Sequence, residues 1–407
     1  MGKSARFISV FFVACTLLFS GCSDDDTSPS ESVETKEIKV GAMFSLTGDW
    51  SSLGKASQSA LNIAVENINS YFASISSNIR IKLVIEDTKL DTTIALEKIK
   101  SLAAAGVRFI IGPQSSKEVA AIRGYANQNN IIVISQGSTA GTLAIPADNI
   151  FRFCPSDSLE GAAMARLMFN EGMRSIISIS SMDAGNLGLQ KAAEISFKSL
   201  GGFVTTSSNY NAGLTDFSSL LPVINSSVQL QISSFGKNEV GVYIAGFDEV
   251  IELFKQALSY PDLYSVKWYG SDGMVLNEKI LSDTAASRFA EMTKYPCPTY
   301  GLDLSTKYKW EPIVTMINNE IGFQPDAFGL STYDALWVVA LSYLSNNGSD
   351  NFANLKKIFV QTADSYYGLT GATVLNNAGD RKFGFYDYWE IKKQNGVYNW
   401  VLTGNSN

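Results

Sequence analysis

Residues 108–135 read RFIIGPQSSKEVAAIRGYANQNNIIVIS. An apolar, β-branched run is followed by a segment with apolar residues at helical spacing, and then by a second apolar run. Short strands with no polar face, joined by an amphipathic helix, belong to a parallel sheet covered on both sides. The same unit repeats upstream, in the runs IKVGAMF (38–44) and IRIKLVIED (79–87), each with a helical segment after it: LGKASQSALNIAVENINSYF (53–72) and TTIALEKIKSLAAAG (92–106). It resumes after NIFRFCP (149–155). There helix 158–170, strand SIISISS (175–181), helix 186–200, strand GFVTTSS (202–208) and a helical stretch from Asp216 lead to EVGVYIAG (239–246), helix 248–259 and VKWYGSDG (266–273). Residues 305–362 then hold three helical segments with scarcely a strand, so they must cover a sheet built elsewhere. GFYDYWEIKK (384–393) alternates like a late strand. The fold class is α/β, with two Rossmann-like lobes and parallel-rich sheets.

Composition narrows the function. The chain has 407 residues, 45% hydrophobic and 17% charged, which suits two lobes rather than one core. A net charge of −7 argues against a dedicated nucleic-acid binder. Histidine is absent, which removes Ser-His-Asp and Cys-His machinery and His-containing metal sites. GSTAG (137–141) has Thr where a nucleophile elbow carries Ser, and no His to act as base. No catalytic residue, metal ligand or cofactor motif is assigned, and an enzyme is not expected.

The N-terminus carries an address. Lys3 and Arg6 precede an apolar run from Phe7 to Phe19, the length of a signal-peptide core and short for a bilayer span. Leu18-Phe19-Ser20-Gly21-Cys22 resembles the lipobox of bacterial lipoproteins, which implies cleavage after residue 21 and a lipid on Cys22. Residues 22–37 are polar and acidic and read as a flexible tether. No other stretch reaches 18 apolar residues, so no second membrane element is expected.

Ligands of open α/β sheets bind beyond the carboxyl ends of the strands. Those ends carry Ser115 and Ser116 after RFIIGP, Gly137-Ser138-Thr139 after IIVIS, Phe247 after VYIAG and Asp272 after VKWYG; Trp50 and Leu53 follow the first strand. Hydroxyls and backbone N–H groups on one side suit a carboxylate, and Asp272 on the other suits an ammonium. Ser115-x-x-Glu118 is equally a capping box, Ser138 and Thr139 equally N-caps, and Asp272 equally a turn former before Gly273.

The ordered set IKVGAMFSLTGDW, IEDTKLD, FIIGPQSS, VISQGSTAG, FRFCPSD, VYIAGF, YGSDG and FGFYDYWEI resembles the type I periplasmic binding proteins of the leucine/isoleucine/valine-binding group, from residue 38 to about 393. The resemblance implies lobe one from 38–153 plus 298–368 and lobe two from 155–296 plus 372–407, joined by a three-segment hinge. It implies that Ser115, Gly137 and Thr139 hold the ligand carboxylate and that Thr139 and Asp272 hold its ammonium. Phe247, Trp50 and Leu53 would lie against the rest of the ligand, with Ser138 in the same loop. Leu187-Gly188 stands where the family often has Tyr-Gly, and Asp272 stands where the amino-acid binders have Glu.

The implied function is a lipid-anchored, exported, monomeric solute-binding protein that captures a small amino acid of branched-chain type and delivers it to an ABC permease. A ligand-sensing receptor, or a binder of an amide, urea-like compound or aromatic acid, would use the same scaffold. In this fold the crossing segments lie side by side, so Cys154 and Cys297 could approach to disulfide distance; the alternative is two independent buried thiols packed as small hydrophobes.

Overall fold

The apolar runs become strands because their residues have no wet face to offer. In the computed structural model, which describes residues 34–48 and 50–406, the first sheet consists of β1 (Lys36–Phe44), β2 (Ile79–Asp87), β3 (Phe109–Ile111), β4 (Ile132–Ser135) and β5 (Ile150–Arg152). Its order is β2-β1-β3-β4-β5, parallel throughout. The connecting helices are α1 (Ser51–Ser74), α2 (Thr92–Ala104) and α3 (Ser116–Gln128). Every residue of β3 and β4 is buried, as strands covered on both faces must be.

The second parallel sheet has the order β7-β6-β8-β9 and is built from β6 (Ser175–Ser180), β7 (Phe203–Thr206), β8 (Val240–Ala245) and β9 (Lys267–Tyr269). Its helices are α4 (Asp157–Asn170), α5 (Ala184–Ser199), α6 (Leu221–Phe235) and α7 (Glu249–Ala257). The helix expected from Asp216 begins only at Leu221, with a proline in its first turn. Two short helices, α8 (Glu278–Ser282) and α9 (Thr284–Thr293), and a strand, β10 (Cys297–Tyr300), fill a stretch the hydrophobic pattern leaves blank.

The helical block comprises α10 (Lys307–Ile321), α11 (Ala327–Ser345) and α12 (Phe352–Ser365). Ile317, Leu336, Val339 and Phe359 share one core with Val40, Phe109 and Ile134 of the first sheet. A separate core gathers Ile179, Val242, Trp268 and Phe289 around the second sheet. Helix α11, 19 residues long, is apolar enough to cross a membrane by length and composition, yet most of it is buried in the first core. A helix apolar on all sides is what burial between other helices and a sheet requires. A small hairpin, β11 (Tyr367–Gly368) with β12 (Gly371–Ala372), leads to β13 (Tyr386–Gln394) and β14 (Val397–Asn405), which pair antiparallel with β10 in a third sheet, order β10-β13-β14.

The returning chain is tied to the end of β5. The Arg152 N–H donates to the Gly379 carbonyl (3.0 Å), and the Arg381 N–H donates to the Arg152 carbonyl (3.0 Å). The Arg152 guanidinium, 1% exposed, pairs with Asp380 at 2.5 Å.

The disulfide is absent: Cys154 and Cys297 are both free and buried. The Cys154 thiol donates to the Ser138 carbonyl (3.3 Å), while Cys297 packs beside Tyr295 and Gly270 in the second sheet's territory. Burial pushes the Cys154 thiol up to about 12 and Cys297 well above its usual value, so neither offers the thiolate that disulfide exchange needs. The signal segment, Cys22 and the tether as far as residue 33 lie outside the described residues.

Candidate functional site

Ser115 sits at the N-cap of α3 in extended conformation, and the capping box is complete. Its hydroxyl bonds the Glu118 carboxylate, and its backbone N–H donates to the same group at 3.3 Å. Both Ser115 donors are therefore committed within the helix turn. Of the two readings the sequence offers for Ser115, the capping box is the one formed in the structure. Gln114, just before it, ties two loops together. Its side-chain amide donates to the Trp50 carbonyl (2.9 Å), and its side-chain oxygen accepts from the Ser45 N–H (3.1 Å).

The loop after β4 is held from below. Ser135 Oγ accepts from the Gly137 and Ser138 N–H groups (3.4 and 3.0 Å) and donates to the Pro113 carbonyl (2.6 Å). The carbonyls of Ser138 and Ala140 turn back to Arg152 Nη1 (3.2 and 2.6 Å). A β-carbon on Gly137 would stand 2.8 Å from the Gln114 carbonyl and 3.3 Å from Leu53 Cδ2, so glycine lets this loop lie against the α3 turn. Leu53 is thus buried beneath the loop, and Ser138 is buried with its hydroxyl 3.0 Å from that of Ser116. Trp50, 46% exposed, stands at the rim and caps α1 in the left-handed region.

Thr139 is the residue of this loop that reaches the start of α4. Its carbonyl accepts the Asp157 N–H at 3.0 Å. Its hydroxyl stands close enough to Asp157 to favour the ionised carboxylate, though outside hydrogen-bond geometry. On the opposite side, the turn after β9 presents Asp272, half-buried, with its N–H donating to Glu160 Oε1 at 3.1 Å. Phe247, 48% exposed, lies against that turn: a β-carbon on Gly273 would stand 3.0 Å from its ring. Its N–H donates to Glu249 (3.1 Å).

Two acids that hydrophobic patterning does not single out complete the arrangement. Asp157 and Glu160, each 2% exposed, lie one turn apart on the first turns of α4. Burial, with the Asp157 charge added, pushes Asp272 up to about 7. Burial pushes Asp157 up to about 6 against the pull of Thr139 and Arg152, and raises Glu160 well above the usual range, with Asp272 and Asp157 adding to it. Acids at a helix start are ordinary dipole partners, so D-x-x-E in FRFCPSDSLE carries no sequence signal that separates them from a cap. No ion pair reaches any of the three among the described residues, where the nearby Arg152 is engaged by Asp380.

Chemically, hydroxyls and backbone N–H groups on the loops after β3 and β4 stand with the carboxylates of Asp157, Glu160 and Asp272, and no cation pairs with those acids among the described residues. The fold and site define a two-lobed solute-binding protein. A family model described as periplasmic binding protein matches residues 37–260, and the chain belongs to that family. It is 30% identical to the uncharacterized protein MJ1266 of Methanocaldococcus jannaschii, over 95% of this chain and 94% of that one. It is 24% identical to Leu/Ile/Val-binding protein homolog 1 of Brucella abortus, over 90% of this chain and 93% of that one. Among solved structures it is similar to the branched-chain amino acid transporter substrate-binding protein LivJ of Streptococcus pneumoniae in complex with isoleucine, with TM-score 0.69 and 21% identity, covering 90% of this chain and all of that one.

Proposed function

We propose that this chain is an exported solute-binding protein that captures a small α-amino acid between its lobes and delivers it to an ABC permease, tethered to the membrane by a lipid on Cys22. The observation that carries the reading is the half-buried Asp272, without a cationic partner among the described residues, together with Thr139 on the facing loop. A ligand ammonium supplies the missing charge, and desolvation strengthens the contact when the lobes close. The ligand carboxylate meets the backbone N–H groups that open α3 and the 137–139 loop, with the helix dipole behind them. Ser115 supports that end as a cap. The names of the relatives favour a branched-chain ligand. An aromatic acid fits less well, because it brings no cation to a pocket already rich in carboxylates.

A thermal-shift panel over the twenty amino acids, simple amides and benzoate tests this. A ligand present at 100 times its Kd adds about 2.7 kcal/mol of stability. An α-amino acid is expected to raise the melting temperature and benzoate to leave it unchanged; a shift with benzoate alone reverses the assignment.

A further inference from the structure

An acidic cluster alone is ordinary, but this one contains buried groups whose hydrogen bonds are unmade: the Thr139 hydroxyl and the Gly141 N–H stand near Asp157 without reaching hydrogen-bond geometry. Both carboxylate oxygens of Asp157 are buried and without a hydrogen-bond partner. The Tyr243 hydroxyl, on a fully buried ring, is also unpartnered, and it feels the charges of Glu160, Asp272 and Asp157. Buried polar groups are normally satisfied, so an orphaned carboxylate beside the ligand loops needs an explanation.

Gly188 gives a second indication. A β-carbon there would stand 2.9 Å from Asp157 Oδ2, so any larger residue would push the carboxylate aside. Gly188, next to Leu187, leaves room for the Asp157 carboxylate. Glu160 is placed differently. Its carboxyl accepts the Asp272 N–H and thereby fixes the turn that presents Asp272.

We propose that Asp157 is a second anionic contact for the ligand ammonium, beside Asp272, and that Glu160 is a positioning residue that holds the Asp272 turn. This rests on the amino-acid reading above. A primary ammonium has three N–H donors, and Thr139 Oγ1, Asp157 and Asp272 supply three acceptors. The site therefore selects primary amines, and N-methylation removes one of the three bonds.

The test is calorimetry on the full protein with the twenty L-amino acids as probes. Asp157→Asn is expected to weaken every amino acid that binds by about 10- to 100-fold, the loss of one bond to a charged group. It should do so while leaving the melting temperature of the free protein equal or higher, because it removes a buried, unbonded acid. A residue with only a structural role would move both downward. Asp157→Ser serves if the Asn variant does not fold. Glu160→Gln, whose amide oxygen still accepts the Asp272 N–H, is expected to keep affinity within about threefold, while Glu160→Ala loses at least about tenfold. Unchanged affinity in the Asp157 variants overturns the contact, and equal loss in the two Glu160 variants overturns the positioning role. Both results leave the solute-binding reading standing. A wild-type protein that binds no amino acid overturns that reading and this one together.

Discussion

Lowering the pH from 8 to 5 should weaken amino-acid binding steeply while the free protein becomes more stable. Burial, with the Asp157 charge behind it, raises Asp272 to about 7, and burial raises Asp157 to about 6. An ammonium requires the ionised forms. At pH 5 a group with a pKa near 7 is about 99% protonated, so removing its proton costs about 100-fold in affinity relative to pH 8. If Asp157 must ionise as well, a further factor of about ten follows. The other titratable groups facing this cluster are Glu160, Tyr243, Tyr386 and the thiols of Cys154 and Cys297, all raised by burial first. The tyrosines stay neutral across this range, and Arg152 stays paired with Asp380. Stability of the free protein runs the other way. These carboxyls have folded pKa values above their unfolded ones, so their contribution is fully present below about pH 4 and is lost as pH rises through about 7. Titration calorimetry at half-unit steps, in two buffers of different ionisation enthalpy, reads both the affinity and the protons released on binding. Affinity flat between pH 5 and pH 8, with no proton release, would refute the reasoning.

Other expectations follow from single residues. Asp272→Ala should cost about 3–5 kcal/mol of binding, since it leaves the ligand ammonium buried without a counter-charge; calorimetry measures the loss. Ser115→Ala should lower stability by about 1 kcal/mol, the worth of an N-cap, and change ligand affinity less than the loss of a direct contact would; denaturant melts and calorimetry on one sample separate the two. Asp380→Ala strands the buried Arg152 guanidinium and should destabilise the fold by about 3–5 kcal/mol in chemical denaturation. Mass spectrometry of the non-reduced, denatured protein should find both Cys154 and Cys297 alkylated, and reductant should leave the melting temperature unchanged.

The architecture was legible where burial writes a simple pattern. Runs such as FII and IVIS have no polar face, and the helical block 305–362 has no sheet of its own, so alternation and its breakdown give both parallel sheets and the covering helices. The antiparallel additions were harder. Strand β14 is half-exposed and its apolar pattern is diluted, but Asn395-Gly396, both at positive φ, marks the two-residue turn that pairs it with β13. Strand β10, CPTY, contains a proline and too few β-branched residues to stand out. At the site, the positions after the strands were readable and the bonding of the side chains was not. Ser115 could serve a helix or a ligand, and only the structure shows its hydroxyl bonded to Glu118. Asp157 and Glu160 look like helix-start acids until a fold brings Asp272 beside them from 112 positions beyond Glu160. The cysteines show the same limit, because sequence places them at crossings without saying which way either thiol turns.

A crystal structure of the protein with the amino acid that raises its melting temperature most tests the central claim directly. The account predicts that amino acid between the two sheets, its ammonium within hydrogen-bond distance of Thr139 Oγ1 and the Asp272 carboxylate, and its carboxylate at the N–H groups opening α3 and the 137–139 loop. A ligand lodged elsewhere, or bound in the cleft with its ammonium turned away from Asp272, would contradict it.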